Sequence, residues 1–193
     1  MKKVLCYLFI FILCLFLLSC EQPSSKNKTT GLENNMNKKD IFDFKHIDSA
    51  PKATEKHPIN EVIKVFLDEW SIDVPYKAVA IDIKKNEVYI NPSISIRGLS
   101  AGNGIVQISN AEKVLEVLKK YEVQNWKTDY TFENPETYED GYSWKILLQF
   151  EDGTVEKHSG KGTDKERLTP DNFESFFTEI NEFIEERLEE NDS

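Results

Sequence analysis

Between Tyr142 and Phe150 every second residue is large and apolar: Tyr142, Trp144, Ile146, Leu148 and Phe150. Side chains of an extended chain point alternately to opposite faces, so this spacing places all five on one side of a β-strand. Asp152-Gly153 follows at once and supplies the positive-φ turn that a tight hairpin needs. Thr154 to His158 then returns as a mostly polar strand, expected near a sheet edge.

The C-terminal segment offers that apolar face a partner. Phe173, Phe176, Phe177, Ile180, Phe183, Ile184 and Leu188 recur at helical spacing. Thr169 can cap this helix, Pro170 suits its first turn and Asp171 favours the positive end of its dipole. Each buried side chain of this kind contributes roughly 1.5–3 kcal/mol, so the helix is expected to anchor the sheet. Glu185, Glu186, Glu189 and Glu190 place acids at its C-terminus, where the dipole disfavours them, and that end is expected to fray.

The remaining elements are shorter. Ile59, Val62, Ile63, Phe66, Leu67 and Trp70 fall at helical spacing behind Pro58 and read as a first helix. Ala78 to Ile83 and Glu87 to Ile90 read as a hairpin around Lys85-Asn86. Ile94 and Ile96 alternate with serines, a glycine-bearing stretch follows, and Ile105 to Ile108 reads as a further strand. Ser109-Asn110-Ala111-Glu112 has the form of a capping box before a helix with Ala111, Val114, Leu115 and Leu118 on one face. The sum is an α+β two-layer sandwich: a mostly antiparallel sheet of five to seven short strands with two or three helices packed on one face.

The N-terminus carries an address. Met1-Lys2-Lys3 is followed by fifteen uncharged residues, Val4 to Leu18, a length that suits a secretory h-region better than a bilayer span. The run ends in Leu17-Leu18-Ser19-Cys20. This tetrapeptide, in register behind the leader, resembles the lipobox of bacterial lipoproteins. The resemblance implies a signal peptide over residues 1–19, cleavage after Ser19, and acylation at Cys20 with diacylglyceryl and an amide-linked chain such as palmitate. Two or three acyl chains hold a protein firmly to a bilayer, where one holds it only marginally. With Glu21 after the cysteine, the family's sorting habit implies the outer membrane in a Gram-negative cell, and the outer face of the cell membrane in a Gram-positive one. Cys6 and Cys14 leave with the leader, so the mature chain is expected to have no disulfide.

Residues 20–57 are rich in Ser, Asn, Lys and Thr, and from Glu21 onward seven lysines nearly cancel six acids. That composition reads as a lipidated, flexible tether, with an r.m.s. span of roughly 30–36 Å as a coil. Ile41-Phe42-Asp43-Phe44 is its one apolar cluster, able to dock on the domain as a strand or hook. Residues 58–193 are left as a single globular domain with a net charge of −13. Such an acid excess argues against a nucleic-acid partner, which needs a basic face, and favours a basic protein partner.

Motifs with chemistry are sparse. The glycines at 98, 102 and 104 and the run Gly160-Lys161-Gly162-Thr163 match neither phosphate-loop spacing. Zinc and serine-hydrolase motifs are absent, and no metal or cofactor is expected. Asp129, Glu133, Glu136, Glu139 and Asp140 form an acidic stretch without the calcium-loop pattern. Trp126 and Tyr138 flank it and, with Arg97, one of three arginines, make a candidate recognition patch. Gln124-Asn125-Trp126, Asp140-Gly141-Tyr142-Ser143-Trp144 and Leu148 to Val155 resemble small bacterial proteins and lipoproteins of unknown function. That likeness spans roughly residues 105–185 and implies a compact fold without implying an activity.

The expectation is therefore a membrane-tethered, non-catalytic binding module at the cell envelope, in one version an immunity or inhibitor lipoprotein against a cationic toxin. The alternative is an envelope hydrolase using acidic-loop carboxylates, with Glu139 and Asp140 near Arg97.

Overall fold

The computed structural model describes residues 40–71, 74–95, 98–101, 104–132, 141–163 and 165–192. All belong to one unit that runs from Asn37 to Ser193. Two 3₁₀ turns, Asp40–Phe42 and Phe44–Ser49, open it, and a third spans Ile59–Glu61. Strands β1 (Val62–Ser71), β2 (Val74–Asp82), β3 (Glu87–Ile90), β4 (Pro92–Ser95), β5 (Gly98–Ala101) and β6 (Ile105–Gln107) follow. Helix α1 (Lys113–Lys120) precedes β7 (Tyr142–Phe150) and β8 (Val155–Gly162), and α2 (Lys165–Leu168) and α3 (Phe173–Asp192) close the chain. Six strands form one antiparallel sheet in the order β6-β3-β2-β1-β7-β8, while β4 and β5 pair with each other. The fold is α+β, as the alternation and the phenylalanine helix require. Among the described residues no helix is long and apolar enough to cross a membrane.

Residues 62–71 form the central strand and not a helix. β1 lies between β2 and β7, and the sheet is covered on both sides. Val65 and Leu67 join the larger core, while Phe66 joins a second core on the other face. A strand buried on both faces is apolar at consecutive positions, and such a run is easily mistaken for helical spacing. The β-branched Val62, Ile63 and Val65 favour the strand. A register shift between Val62 and Lys64 adds a bulge where β1 begins.

On the helical side, Val65, Leu67, Val79, Ile81, Trp144, Ile146 and Leu148 meet Val114, Val117 and Leu118 of α1 and the phenylalanines of α3. Trp144 binds this layer to α2 by donating its indole N–H to the Leu168 carbonyl at 2.5 Å. The bond passes directly over Gly160, where a Cβ would strike the Leu168 carbonyl oxygen and come within 2.6 Å of the indole nitrogen.

The other face is covered by the segment before Pro58. Phe44 and Ile47 are buried against Phe66, Ala80, Leu147 and Val155. The Gln149 side-chain amide donates to the Ile41 carbonyl at 2.8 Å, and Ala53 and Val155 exchange backbone bonds with Val155 and Pro51. Residues 40–57, which by composition read as tether, are thus part of the folded body. Ile41 to Phe44 does hook onto it, as 3₁₀ turns and not as a strand. The segment's few apolar side chains are the ones that complete the second core, a fact that averaged composition hides.

The hairpins match their signals. Asn86 sits at φ 56° in the β2–β3 turn and Gly153 at φ 86° in the β7–β8 turn, the left-handed region those residues tolerate. β8 is an edge strand, yet its outer side is paired by residues 51–53 and 128–132. The caps differ from expectation. α1 starts after Glu112 with no side-chain cap; Asn86 Oδ1 accepts the Ala111 N–H at 3.0 Å instead. Thr169 donates its hydroxyl back to the Lys165 carbonyl, closing α2 and not opening α3, which continues to Asp192.

Candidate functional site: a charged cleft on the second sheet face

Where the N-terminal segment meets β1, β2 and β3, it leaves a cleft of about 760 Å³. Phe44 and Tyr89 form one wall, edge to face at 5.6 Å, and the exposed Ile105 of β6, the cross-strand neighbour of Tyr89, extends its rim. Lys64 and Asp82 make the floor. They stand directly opposite each other on β1 and β2, are 5% and 2% exposed, and the Lys64 ammonium donates to Asp82 Oδ2.

Each member of this pair has a second partner. Lys64 Nζ lies 4.6 Å from the centre of the Phe44 ring, a cation–π contact that couples the sheet to the covering segment. Asp82 Oδ1 accepts the Lys85 N–H at 3.1 Å, an Asx-type bond that shapes the β2–β3 turn. The Lys85 ammonium stands 3.6 Å from Asp82 Oδ2, and Lys84 pairs with Glu151 at 2.6 Å, both lysines largely exposed on the rim. Tyr89 donates to Glu87 Oε2 at 2.8 Å, and burial followed by that carboxylate pushes its phenol well up. At neutral pH Tyr89 is a hydrogen-bond donor, not an anion.

A second charged cluster fastens the covering segment. Asp48 accepts from Lys145 at 3.0 Å and from Lys157 at 3.2 Å, and Lys145 also reaches Asp68 at 3.5 Å. Burial acts upward on Asp48, but the two ammonium groups outweigh it and hold its carboxyl below the ordinary range. Burial dominates at Asp68 and pushes it up. Chemically, the cleft offers an apolar wall, rim ammonium groups and a matched charged floor.

Of the residues expected to recognise a partner, only Trp126 lies among those described; Cys20, Arg97, Tyr138 and residues 133–140 lie outside them. Trp126 is 9% exposed and packs edge-on against Trp144 and Phe176 at 5.9 and 5.2 Å. It is a core residue with no ring face to present, although its margin borders a polar cleft of about 610 Å³. Asp129 of the acidic stretch accepts the Thr131 N–H at 2.7 Å, and hydrogen bonds from the Thr131 side chain and then its backbone hold its carboxyl low. Among the described residues no group of three or more His, Cys, Asp or Glu is placed to hold a metal.

The floor pair is the feature that sequence reading missed. Its only signal is a lysine and an aspartate each set inside an apolar run, Ile63-Lys64-Val65 and Ile81-Asp82-Ile83. No protein-family model matches this chain, no curated protein matches it, and no solved structure matches it.

Proposed function

We propose that this chain is a lipid-anchored, non-catalytic binding module of the bacterial cell envelope whose partner is a basic protein. The observation that carries the reading is the lipobox, Leu17-Leu18-Ser19-Cys20, in register behind a charged start and a fifteen-residue apolar run. Charge supports the choice of partner. Residues 40–193 hold 18 Lys and Arg against 32 Asp and Glu, a net of −14. An excess of that size attracts cationic proteins and speeds their encounter, and salt weakens the attraction. The same excess favours, as a specific form, an immunity or inhibitor lipoprotein that neutralises a cationic toxin.

Two measurements test this. Intact mass of the membrane-extracted protein is expected to show an acylated Cys20, and Cys20→Ala is expected to leave the detergent phase. An unmodified polypeptide, or a Cys20→Ala chain that still partitions with membranes, refutes the anchor. Envelope proteins captured on the anchored chain are expected to be basic and to elute with rising salt. Capture that is indifferent to salt refutes the basic partner, and unchanged toxin sensitivity on deletion refutes the immunity form.

A further inference from the structure

The strands β4 and β5 pair with each other outside the six-stranded sheet. Left-handed backbone sets both ends of this ribbon. Asn91, at φ 46°, precedes β4, and Gly104, at φ 125°, precedes β6. A Cβ on Gly104 would meet no atom within 4 Å, so the glycine serves the backbone angle and not a close approach. Asn91 fixes the stem to β2: its N–H donates to the Ala78 carbonyl at 2.9 Å, and its Oδ1 accepts the Ala78 N–H at 3.2 Å. The Ile90 N–H donates to the Gly104 carbonyl at 3.1 Å and joins the two ends. A lone two-stranded ribbon is marginal in water. Here β4 and β5 both lie against the 3₁₀ turn Phe44–Ser49, which covers the second face of the sheet.

That turn belongs to the end of the body that leads to Cys20. Residues 40–57 are part of the fold, so nineteen residues, 21–39, separate Cys20 from Asp40. An anchor at Cys20 therefore joins the body on the side where the ribbon stands. Charge marks the same place. Residues 88–111 contain no acid, and no other acid-free run within residues 40–193 exceeds ten residues. β4, β5 and β6 all fall inside it. Ile105, 55% exposed, is the most exposed large apolar residue among those described. The opposite face of the sheet carries α3, with Glu174, Glu182, Glu185 and Glu186 exposed. Anionic lipid headgroups repel carboxylates within about a Debye length, roughly 8 Å at physiological ionic strength. The ribbon side approaches them without that repulsion.

We propose that the β4–β5 ribbon and Ile105 form the surface by which the anchored body rests on its own bilayer, with α3 turned away. This rests on the anchored reading and adds an orientation to it. A body held by its acyl chains alone would present every side to the membrane in turn, whereas the ribbon contact selects one. The contact is shallow: Ile105 gives its exposed side chain to the headgroup region, and no carboxylate of the run has to be desolvated there.

Paramagnetic broadening on a nanodisc tests this. The chain from Cys20 to Ser193 is coupled through the Cys20 thiol to a maleimide lipid in nanodiscs of phosphatidylethanolamine and phosphatidylglycerol. The anchor is thereby imposed, and the outcome does not depend on whether cells acylate Cys20. A lipid with a nitroxide headgroup is expected to remove most of the amide signal of Ser93, Ser95, Leu99, Ala101 and Ile105, while Glu179 and Glu182 of α3 keep theirs. Adding the acids that the run lacks, in Ser100→Glu combined with Ile105→Glu, is expected to bring the ribbon signals back to the level of α3. Ribbon signals untouched by the nitroxide, whether the ribbon is bare or covered by a second copy, overturn the proposal. Equal or greater loss on α3 overturns it, as does undiminished ribbon loss in the double variant. Should that variant not fold, the wild-type comparison of ribbon with α3 decides alone. Even broadening refutes the orientation and leaves the anchor standing, whose own test is the intact mass.

Discussion

Removing one member of the Lys64–Asp82 pair is expected to cost far more than removing both. Lys64→Met keeps the length of the stem and deletes the charge, leaving Asp82, 2% exposed, with the Lys85 N–H at 3.1 Å and the Lys85 ammonium at 3.6 Å. These partners soften the loss, so the cost falls at the lower end of the range for a broken buried pair, about 3 kcal/mol. Asp82→Leu leaves the Lys64 ammonium with the Phe44 ring alone among its cleft partners and strips the Lys85 N–H of its acceptor. That places it at the upper end, about 5 kcal/mol, close to the whole stability of a marginal domain. The double variant buries two apolar side chains where two charges stood and forfeits chiefly the turn bond. It is expected within about 2 kcal/mol of the wild type. Urea denaturation of the mature chain made without lipid, with Cys20→Ser, gives the four stabilities of the cycle. With a slope of about 1–3 kcal/mol per molar, the Lys64→Met loss moves the midpoint by roughly 1–3 M. Single variants costing under about 1 kcal/mol, or a double variant as unstable as the two losses added, would refute the reasoning.

Three further outcomes are expected from the same fold. Phe44→Ala is expected to cost about 3–5 kcal/mol, because Phe44 is 4% exposed over Phe66 and Tyr89; a loss near zero in thermal unfolding would return residues 40–57 to the status of linker. Gly160→Ala is expected to abolish folding or to lower the melting temperature steeply, since its Cβ would strike the Leu168 carbonyl and crowd the Trp144 indole; near-ultraviolet dichroism of Trp144 reports the change, and an unaltered spectrum and melting temperature would contradict the packing. His57 accounts for a pH dependence: its hydrogen bond to Glu61 holds its proton more tightly than usual, against burial, with Asp152 and Glu55 adding to the effect. A group raised in the folded state stabilises fully below its unfolded value of about 6.5 and loses that contribution as pH rises through the folded value. The urea-midpoint gap between the wild type and His57→Gln should therefore narrow as pH rises across this range, down to what the stacking of His57 on Phe150 contributes at every pH, and a constant gap would exclude the link.

Much of this architecture is legible in the residues wherever burial is one-sided. Tyr142, Trp144 and Ile146 alternate with Ser143 and Lys145, so the strand and its buried face can be read together. Phe173 to Ile184 repeats every three or four positions because α3 buries one stripe and leaves glutamates outside. Asp152-Gly153 and Lys85-Asn86 mark turns through local backbone preference alone. Legibility fails where two sides are buried. Val62 to Leu67 meets helices on one face and Phe44 on the other, so its period of two is overwritten. The same blindness hides residues 40–57, whose contribution to the second core depends on strands far along the chain.

The site was less legible than the fold, and for a related reason. Aromatic residues beside an acidic stretch look like a recognition surface, but Trp126 is drawn inward by Trp144, Phe173 and Phe176, which lie 18 or more positions later. Conversely, Lys64 and Asp82 are separated by eighteen positions and become a pair only through the β1–β2 register. The cleft over that pair is bounded by Phe42, Asp43 and Phe44, so its outer wall is the part of the domain nearest in sequence to Cys20. A partner that enters this cleft must meet the segment that Asp48 fastens to Lys145 and Lys157. Weakening that fastening with Asp48→Asn should therefore alter partner affinity as well as stability, whereas a site elsewhere on the acidic surface would be indifferent to it.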